Sequence, residues 1–371
     1  MTGKTKTIVL LPGDGIGPEV IGAAAGLLQE CSRAFGLTFE MVEMPAGGCA
    51  IDRCGSPLPA ETLDACQRAD AVLLGAVGGP RWDALPIGQR PESGLLALRK
   101  GLGLYINLRP IRMRESLEEI SPLKGERVEN CDMEIVRELA GGIYFGEHRV
   151  EGANGSERAV DVEAYSTPEI ERVARYAFER ARKRGRKLAS VDKANVLSTS
   201  QLWRKTVTRL GAGYPDVRLE HLLVDNAAMQ LVIAPRQFDV IVTSNLFGDI
   251  LSDAAAGLVG SIGLIPSMSC GTGTPLFEPI HGSAPSLAGK DCACPVGAIL
   301  SVAMMLREAF GLGAEADAVE KAVERVLDRG YRTSDLAGPL STVVSCSRFT
   351  AMVRAELEDS LVHVERYGWG V

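Results

Sequence analysis

The chain has 371 residues, of which 46% are hydrophobic and 23% charged, a composition typical of a soluble globular enzyme. This length predicts two domains, because single hydrophobic cores stop growing at roughly 250–300 residues. The formal net charge of -7, with no basic run to offset it, argues against a nucleic-acid-binding surface. No apolar stretch approaches the roughly 20 residues that span a bilayer. Nine cysteines without a C-x-x-C pair are typical of reduced thiols, so we expect a cytoplasmic protein.

Apolar runs with strand character alternate along the chain with segments of helical spacing. The strand patterns cover residues 7–11, 71–74, 134–136, 188–191, 222–224 and 240–243. The helical patterns cover residues 18–30, 167–184, 200–210, 295–310 and 316–327. This alternation predicts an α/β fold with a largely parallel sheet.

Two long segments have little periodicity. Residues 141–161 are polar and contain glycines, which predicts an extended arm. Residues 263–293 are rich in Gly, Pro and Ser. Loops of that length inside a compact domain are usually functional or disordered. Because apolar patterning resumes directly afterwards, we interpret 263–293 as a functional loop.

The first predicted strand leads into the turn Gly13-Asp14-Gly15-Ile16-Gly17, which Pro18 follows. Glycines permit a tight turn, and proline suits the first helical position. The spacing does not match G-x-G-x-x-G, so a classical Rossmann fold is not predicted. By itself this motif indicates only a strand-to-helix turn.

Residues 91–100 have helical spacing, with Glu92, Leu95, Leu96 and Arg99 on one face. Such a face would fit a small ligand that carries a branched apolar group beside a carboxylate. A boundary helix whose arginine extends into solvent explains the pattern equally well.

Two further arginines, Arg109 and Arg137, lie next to strand-like segments. Arginine binds carboxylates through two parallel hydrogen bonds, and these two with Arg99 would suit a di- or tricarboxylate. Taken singly, each is more typical of a structural ion pair.

Three polar residues lie near the ends of predicted elements. Tyr144 follows a glycine-rich turn, where a core tyrosine is the default alternative. Lys193 ends a strand pattern; a lysine near a metal cation and away from water can act as a base, although most lysines are simply solvated. Asp225 lies at a strand-to-helix junction, where an N-cap role competes with a ligand role.

Asp249 and Asp253 are four residues apart, directly after a strand pattern. A helix places both carboxylates on one face, where like charges repel. A divalent cation would turn that repulsion into coordination, and hard oxygen ligands suit Mg²⁺ or Mn²⁺. An isolated pair of this kind is more often a solvated acidic face.

His281 lies in the glycine- and proline-containing stretch 278–285. Backbone N–H groups in such loops form anion-binding nests that suit a pyrophosphate. A surface turn residue is the alternative, but the length of the loop favours binding.

Taken in order, these segments resemble the metal-dependent β-decarboxylating dehydrogenases, the family of isocitrate and isopropylmalate dehydrogenases. The resemblance runs from Leu10 to about Gly311. It rests on the motifs LPGDGIGPEV, ESGLLALRK, NLRP, RELAGGIYFGE, DKANV, VDNAAM, FGDILSD and HGSAP. The pair Leu95 and Leu96 favours isopropylmalate, because relatives that use isocitrate need a polar residue to bind an extra carboxylate.

The resemblance implies a role for each matching residue. The malate carboxylates would be bound by Arg99, Arg109 and Arg137. Mg²⁺ or Mn²⁺, which also contacts the substrate hydroxyl, would be held by Asp225, Asp249 and Asp253. The isopropyl group would pack against Leu95, Leu96 and Val196. Lys193 would act in deprotonating the hydroxyl, and Tyr144 in protonating the carbon that CO₂ leaves.

The resemblance also implies an NAD cofactor, held by residues 79–92 and 282–294. The residues assigned to it are Gly79, Glu92 (near the nicotinamide), His281, Gly282, Ser283, Ala284, Ser286 and Cys294. Ser286 replaces an Asp that in the family binds the adenosine ribose, and Cys294 replaces an Asn near the adenine. That Asp is the charge that would repel a 2′-phosphate, but no Lys or Arg replaces it. We therefore expect NAD rather than NADP.

Family members are homodimers with discontinuous domains, which implies the same organisation here. The first domain, 1–104 plus 260–371, would bind the cofactor; the second, 105–259, would bind substrate and metal and form the dimer. Each active site would take Lys193 and Asp225 from the partner chain.

The implied reaction is oxidative decarboxylation of 3-isopropylmalate to 2-oxoisocaproate, a step of leucine biosynthesis. One alternative is a sister enzyme for another 3-alkylmalate or a related 2-hydroxy diacid. The other is a catalytically silent regulatory subunit that retains the fold.

Overall fold

The structure is a computed structural model that describes residues 5–153 and 155–367, and the chain divides into two compact units. The first unit comprises the chain up to Gly103, the short segment Ser116–Ile120, and the chain from Gly260 onward. The second comprises Leu104–Glu115 and Ser121–Val259. In sequence, the second unit therefore interrupts the first.

Both units contain β-strands. In chain order they are β1 Lys6–Gly13, β2 Phe39–Glu43, β3 Ala71–Ala76, β4 Leu104–Arg112, β5 Asp132–Glu138, β6 His148–Ala153, β7 Ser156–Asp161, β8 Lys187–Asp192, β9 Arg218–Leu223, β10 Val240–Thr243, β11 Pro266–Gly271, β12 Leu276–Pro279, β13 Tyr331–Arg332 and β14 Thr342–Val343.

The α-helices alternate with these strands. They are α1 Gly17–Phe35, α2 Gly48–Cys54, α3 Ala60–Arg68, α4 Pro91–Gly101, α5 Gly125–Val128, α6 Thr167–Arg182, α7 Ser198–Gly211, α8 Val224–Ile233, α9 Asn245–Leu258, α10 Val296–Glu308, α11 Gly313–Asp328 and α12 Cys346–Tyr367. Within the described residues, none of the helices combines the length and the apolar character needed to cross a bilayer.

The sheet of the first unit has the strand order β2-β1-β3-β12-β11. β1 runs parallel to β2 and β3, and β12 runs parallel to β3 and antiparallel to β11. Every residue of β3 is buried, as expected for a parallel strand covered on both faces. The helices α1, α10, α11 and α12 pack on one another, and residues 296–306 of α10 are all buried.

The sheet of the second unit has the order β4-β5-β10-β8-β9. β5, β10, β8 and β9 run parallel, and β4 is antiparallel to β5. β10 is fully buried and leads directly into α9, so the first turn of α9 lies at the carboxyl ends of the parallel strands. That edge is where open α/β sheets bind ligands. β6 and β7 form a separate antiparallel hairpin that is almost entirely exposed.

The predicted α/β fold with a largely parallel sheet is confirmed. The helix predicted over 167–184 is α6, which begins with a capping box formed by Ser166 and Glu169. The strand predicted over 222–224 is wrong at its end, because β9 stops at Leu223 and α8 begins at Val224.

The segment 263–293 contains more regular structure than the sequence predicted. β11 and β12 lie within it and pair antiparallel, with Pro266 opposite Pro279. Ser267 and Ser269 are buried in β11, and the Ser267 hydroxyl donates a hydrogen bond to the Glu278 carbonyl at 3.0 Å. Because hydroxyls occupy buried positions, β11 lacks the apolar alternation that identifies a strand.

Candidate active site

The second unit brings together two arginines and two aspartates. Arg109 of β4 donates to Asp253 Oδ1 at 3.0 Å and to Asp249 Oδ1 at 3.4 Å, and Arg137 of β5 also donates to Asp249 Oδ1. Both guanidinium groups are buried, whereas 34% of the Asp249 side chain and 51% of the Asp253 side chain are exposed. The two arginines therefore lie on the buried side of the site, and the two carboxylates lie on its solvent-exposed side.

A close approach of helix to strand makes this contact possible. Gly248, in the first turn of α9, lies against Arg137, where a Cβ would stand 2.6 Å from Arg137 Cγ. Only glycine permits that approach. The four-residue spacing then directs Asp249 and Asp253 to the same side of α9, as the sequence predicted.

Tyr144 completes this cluster from the 3-10 turn Ile143–Phe145. Its hydroxyl donates to Asp249 Oδ2 at 2.9 Å, and the Arg137 guanidinium lies over its ring at 5.6 Å from the centroid. Burial and the Asp249 carboxylate raise the pKa of Tyr144, while Arg137 acts in the opposite direction. The phenol therefore keeps its proton and can act as a donor.

The charges of the cluster leave the aspartates suited to a cation. Burial and the Asp249 carboxylate raise the pKa of Asp253, although Arg109 opposes this. Two partly desolvated carboxylates on one helix face need positive charge, which the arginines now supply. Hard oxygen donors of this kind fit Mg²⁺ or Mn²⁺.

Sequence reasoning missed the residues that orient the two guanidinium groups. Arg109 Nε donates to Asn107 Oδ1 and Arg109 Nη1 to Ser252 Oγ, both at 2.7 Å. Arg137 Nε donates to Asn245 Oδ1 at 2.9 Å. Asn107 could have been found, because residues two apart in a strand share one face. The partners on α9 lie more than 100 positions from the arginines, and no local pattern points to them.

Lys193 and Asp225 form a second, separate pair in this unit. Lys193 Nζ lies 2.6 Å from Asp225 Oδ1, and the ammonium holds the pKa of that carboxyl below its usual range. Leu223 rather than Asp225 is the N-cap of α8, so the capping alternative is wrong. Val196, in the turn after Lys193, is 67% exposed. These side chains are accessible for a ligand or a second chain.

Within a single chain, the three aspartates assigned to the metal do not converge. Among the described residues, the group of three close enough to share an ion is Glu19, Asp291 and Cys346 in the first unit. Both carboxylate oxygens of that Asp291 already accept hydrogen bonds from Ser347. Of the three aspartates assigned to the metal, the cluster in one chain therefore contains two, Asp249 and Asp253.

In the first unit, Arg99 of α4 is buried and does not extend into solvent. Its Nη2 donates to Glu278 Oε1 at 2.9 Å, while its Nε is buried without a hydrogen-bond partner. Leu95 and Leu96 are half-buried, and Glu92 is exposed at the start of the helix. The orphaned Nε is a donor that an incoming anion could satisfy.

The first strand-to-helix turn has a function that the sequence did not reveal. The buried carboxylate of Asp14 accepts backbone hydrogen bonds from Gly48 at 2.8 Å, Cys49 at 2.7 Å and Gly78 at 2.8 Å. The next residue, Gly79, has φ +155°. Asp14 thus fixes the beginning of the segment 79–92 assigned to the cofactor.

The segment 281–286 lies on the same turn. Ile16 N–H donates to the Ser283 carbonyl at 2.8 Å, and a Cβ on Gly15 would stand 1.9 Å from that oxygen. Gly282 and Ser286 are exposed, Ser283 is buried, and Ala284 has φ +38°. The Ile16 hydrogen bond and the close contact with Gly15 therefore hold the backbone of this segment, while Gly282 and Ser286 remain exposed to solvent.

His281 and Cys294 lie deeper than their neighbours. Burial lowers the pKa of His281, whose Nε2 is buried without a hydrogen-bond partner. Cys294 is 6% exposed, and burial raises the pKa of its thiol. The cysteine side chain packs inside the unit, so its thiol is not presented to solvent.

The sequence of the chain matches known proteins along nearly its whole length. The isocitrate/isopropylmalate dehydrogenase family model matches residues 7–353. A 3-isopropylmalate dehydrogenase of Thermosynechococcus vestitus is 55% identical over 356 residues, which cover 95% of this chain and 99% of the relative. The enzyme of that name from Bacillus licheniformis is 55% identical over 357 residues, which cover 95% and 96%.

Solved structures agree with the sequence matches. An isocitrate dehydrogenase from Methylococcus capsulatus superposes with a TM-score of 0.85 at 34% identity, covering 95% of this chain and 99% of that one. A β-decarboxylating dehydrogenase from Thermococcus kodakarensis has a TM-score of 0.78 at 38% identity, covering 98% and 99%. The resemblance predicted from the motifs is confirmed: the chain belongs to the isocitrate/isopropylmalate dehydrogenase family.

Proposed function

We propose that the chain oxidises and decarboxylates 3-isopropylmalate to 2-oxoisocaproate with reduction of NAD, the reaction of leucine biosynthesis. The observation that carries the proposal is the contiguous cluster of Arg109, Arg137, Tyr144, Asp249 and Asp253. It combines buried cations for carboxylates, hard oxygens for a metal and a phenolic proton donor. The relatives that share 55% identity carry the name of this activity.

The metal ligands would be Asp249 and Asp253 of one chain and Asp225 of a second copy. The donor set fits, because the three are carboxylates and 63% of the Asp225 side chain is exposed and so open to another chain. When bound, Mg²⁺ or Mn²⁺ would polarise the C2 oxygen of the substrate as a Lewis acid.

The residues of the chain would then handle charge and protons. Arg109 and Arg137 exchange their aspartate partners for malate carboxylates. The Lys193 ammonium of the second copy would first lose a proton to solvent. The resulting neutral amine would take the proton from the C2 hydroxyl while hydride leaves C2 for the nicotinamide. After CO₂ departs from C3, Tyr144 donates its proton to that carbon. One proton is taken up and one is given back, so substrate and NAD⁺ yield 2-oxoisocaproate, CO₂ and NADH.

Substrate selection would depend on three residues of α4 and on Val196. Arg99 would bind a carboxylate through its unsatisfied Nε, and Leu95, Leu96 and Val196 would pack the isopropyl group. The half-buried leucines support an apolar group rather than a further carboxylate, because burying an unpaired carboxylate against them would be costly.

The cofactor would be NAD, bound by Gly79, Glu92 and residues 281–294. The support is the backbone arrangement that Asp14 and the Gly15 turn impose on both segments. Ser286 is exposed and uncharged, whereas the Cys294 thiol is buried, so Ser286 would govern the choice between NAD and NADP.

A homodimer would complete each site. Met229, Val232 and Ile233 of α8 and Ile250 of α9 are between 47% and 59% exposed, and these two helices pack on each other. Exposed apolar side chains on adjacent elements are typical of interfaces. A second copy is the occupant that would also supply Lys193 and Asp225.

Hybrid enzymes test the shared site directly. Lys193→Ala and Tyr144→Phe variants should each be nearly inactive, but equal amounts unfolded and refolded together should recover about a quarter of wild-type turnover. Random pairing makes half of the dimers hybrids, and each hybrid has one site with both residues intact. Sites built within one chain would regain nothing.

A substrate panel tests the reaction itself. Steady-state reduction of NAD⁺ and NADP⁺ should be measured with 3-isopropylmalate, shorter 3-alkylmalates, isocitrate and tartrate in the presence of Mn²⁺. We expect 3-isopropylmalate with NAD⁺ to give the highest kcat/KM. Turnover with isocitrate alone would refute the proposed substrate, and no turnover at all would favour the silent subunit.

A further inference from the structure

Tyr165 contacts both the start of α9 and the turn that follows β5 in the second unit. Its hydroxyl accepts a hydrogen bond from the backbone N–H of Asn245 at 2.9 Å. Burial and the nearby Glu138 carboxylate raise the pKa of this phenol, so it keeps its proton. Glu138 is completely buried and accepts the backbone N–H groups of Ala140 at 2.9 Å and Gly141 at 2.8 Å.

The ring of Tyr165 is held between a turn and a core tryptophan. A Cβ on Gly141 would stand 2.9 Å from Tyr165 Cε1, and one on Gly142 would stand 2.5 Å from the hydroxyl oxygen. Gly142 has φ +73°. On another side, the ring meets Trp203 edge to face at 5.8 Å between centroids. The turn that carries Tyr144 is therefore packed directly on Tyr165.

Asn245 extends the same network to the reacting groups. Its Nδ2 donates to the Gly141 carbonyl at 3.0 Å, and its Oδ1 accepts from Arg137 Nε at 2.9 Å. Arg137 in turn binds Asp249, which accepts from the Tyr144 hydroxyl. Tyr165 thus reaches Tyr144 by two routes, through the turn at 141–142 and through α9.

We propose that Tyr165 is a positioning residue that fixes the Tyr144 hydroxyl relative to Asp249 and Arg137 for protonation of C3. The inference rests on the proposed function for the identity of the reaction. Nothing in the sequence motifs assigns this residue a role. Tyr165 touches no reacting atom and acts through Asn245 and the turn at Gly141 and Gly142.

The test compares Tyr165→Phe with Tyr214→Phe. Both changes remove one hydroxyl from the second unit. Tyr214 lies away from the cluster: its ring stacks on Phe178 at 4.5 Å between centroids, and the Arg182 guanidinium lies 4.4 Å from its ring centroid. Three quantities should be measured: kcat and KM, the rate of deuterium entry at C3 of 2-oxoisocaproate with Mn²⁺ and NADH in D₂O, and amide hydrogen exchange of the peptide 139–147 without ligands.

We expect Tyr165→Phe to lower kcat and C3 exchange together by 10- to 100-fold with a smaller change in KM, since ~1 Å of misplacement costs about 10²-fold. Its 139–147 peptide should exchange faster, while Tyr214→Phe matches wild type in all three quantities. Glu138→Gln, which weakens the hold of the carboxylate on the same turn at Ala140 and Gly141, should reproduce the effect and serves if Tyr165→Phe folds poorly.

If kcat and C3 exchange of Tyr165→Phe and of Glu138→Gln stayed within two-fold of wild type, the inference would be overturned. A loss of turnover with normal C3 exchange would also overturn it, because Tyr144 would then still be in place. Failure of the proposed function is distinguishable, because wild-type enzyme would then neither oxidise 3-isopropylmalate nor exchange C3, whereas amide exchange at 139–147 still reports on the link.

Discussion

Arg99 and Glu278 form a buried ion pair whose disruption should destabilise the fold strongly. Arg99 Nη2 lies 2.9 Å from Glu278 Oε1, and each residue is 8% exposed. Glu278→Met would leave a buried guanidinium without a counter-charge, and breaking a buried pair in this way costs about 3–5 kcal/mol. An exposed pair such as Arg182 with Asp216 should contribute far less, because water screens both charges.

A double-mutant cycle separates the pair from its parts. The free energy of unfolding should be measured in denaturant for wild type, Arg99→Met, Glu278→Met and the double variant. We expect the double variant to be more stable than either single variant, because two apolar side chains of similar length leave no buried charge. Asp216→Ala is the matched exposed control.

Additive effects of the two single changes would refute this reasoning, and so would a cost below about 1 kcal/mol for Glu278→Met. Either result would mean that water or another group already satisfies Arg99. Under the proposed function the pair would also affect substrate binding, because Glu278 orients the Arg99 guanidinium while the Arg99 Nε has no hydrogen-bond partner.

Three further predictions concern chemistry and pH. Lys193→Ala and Tyr144→Phe should each lower kcat by about 10²–10⁴-fold with an unchanged circular dichroism spectrum, and near-normal rates would remove the assigned roles. Chelation with EDTA should abolish turnover, and Mn²⁺ or Mg²⁺ should restore it in wild type but not in Asp249→Asn. Burial lowers the pKa of His281, so the folded protein protonates this histidine less readily than the unfolded chain does. Its contribution to the free energy of unfolding is therefore complete above the unfolded-state pKa of about 6.5 and is lost as pH falls toward the folded-state pKa. His281→Asn should therefore flatten the fall in Tm between about pH 7 and 5, whereas substitution of the exposed His148 should not.

The elements that the sequence predicted well are those whose signals are local. β10 coincides with the predicted 240–243, because a continuous apolar run ends where α9 begins. α6 begins where Ser166 and Glu169 cap it. Cys346–Tyr367 was missed although Phe349, Val353 and Leu357, spaced by four residues, are all fully buried. The four-residue spacing of these apolar residues could have predicted α12 from the sequence.

The residues that the sequence could not predict are those whose roles depend on tertiary contacts. The sequence around Asp14 indicates only a turn residue, yet its carboxylate accepts backbone hydrogen bonds from Gly48 and Gly78, which are 34 and 64 positions away. Tyr165 and Asn245 are 80 positions apart, and their hydrogen bond exists only in the folded unit. By contrast, helical spacing alone placed Asp249 and Asp253 on one face.

The charge balance of the cluster leads to a final prediction about the order of binding. Arg109 and Arg137 carry two positive charges that now neutralise Asp249 and Asp253. A divalent cation on the aspartates would displace the arginines and leave their charges buried, unless a dianionic malate arrived to pair with them. Metal and substrate should therefore bind cooperatively, and linkage requires the effect to be reciprocal. We expect 3-isopropylmalate to tighten Mn²⁺ binding at least ten-fold in calorimetry, in proportion to its own tightening by Mn²⁺. Arg137→Met should weaken this coupling, since one of the two charges that must be re-paired is gone. Equal Mn²⁺ affinity with and without the substrate would show that the arginines do not compete with the metal for the aspartates.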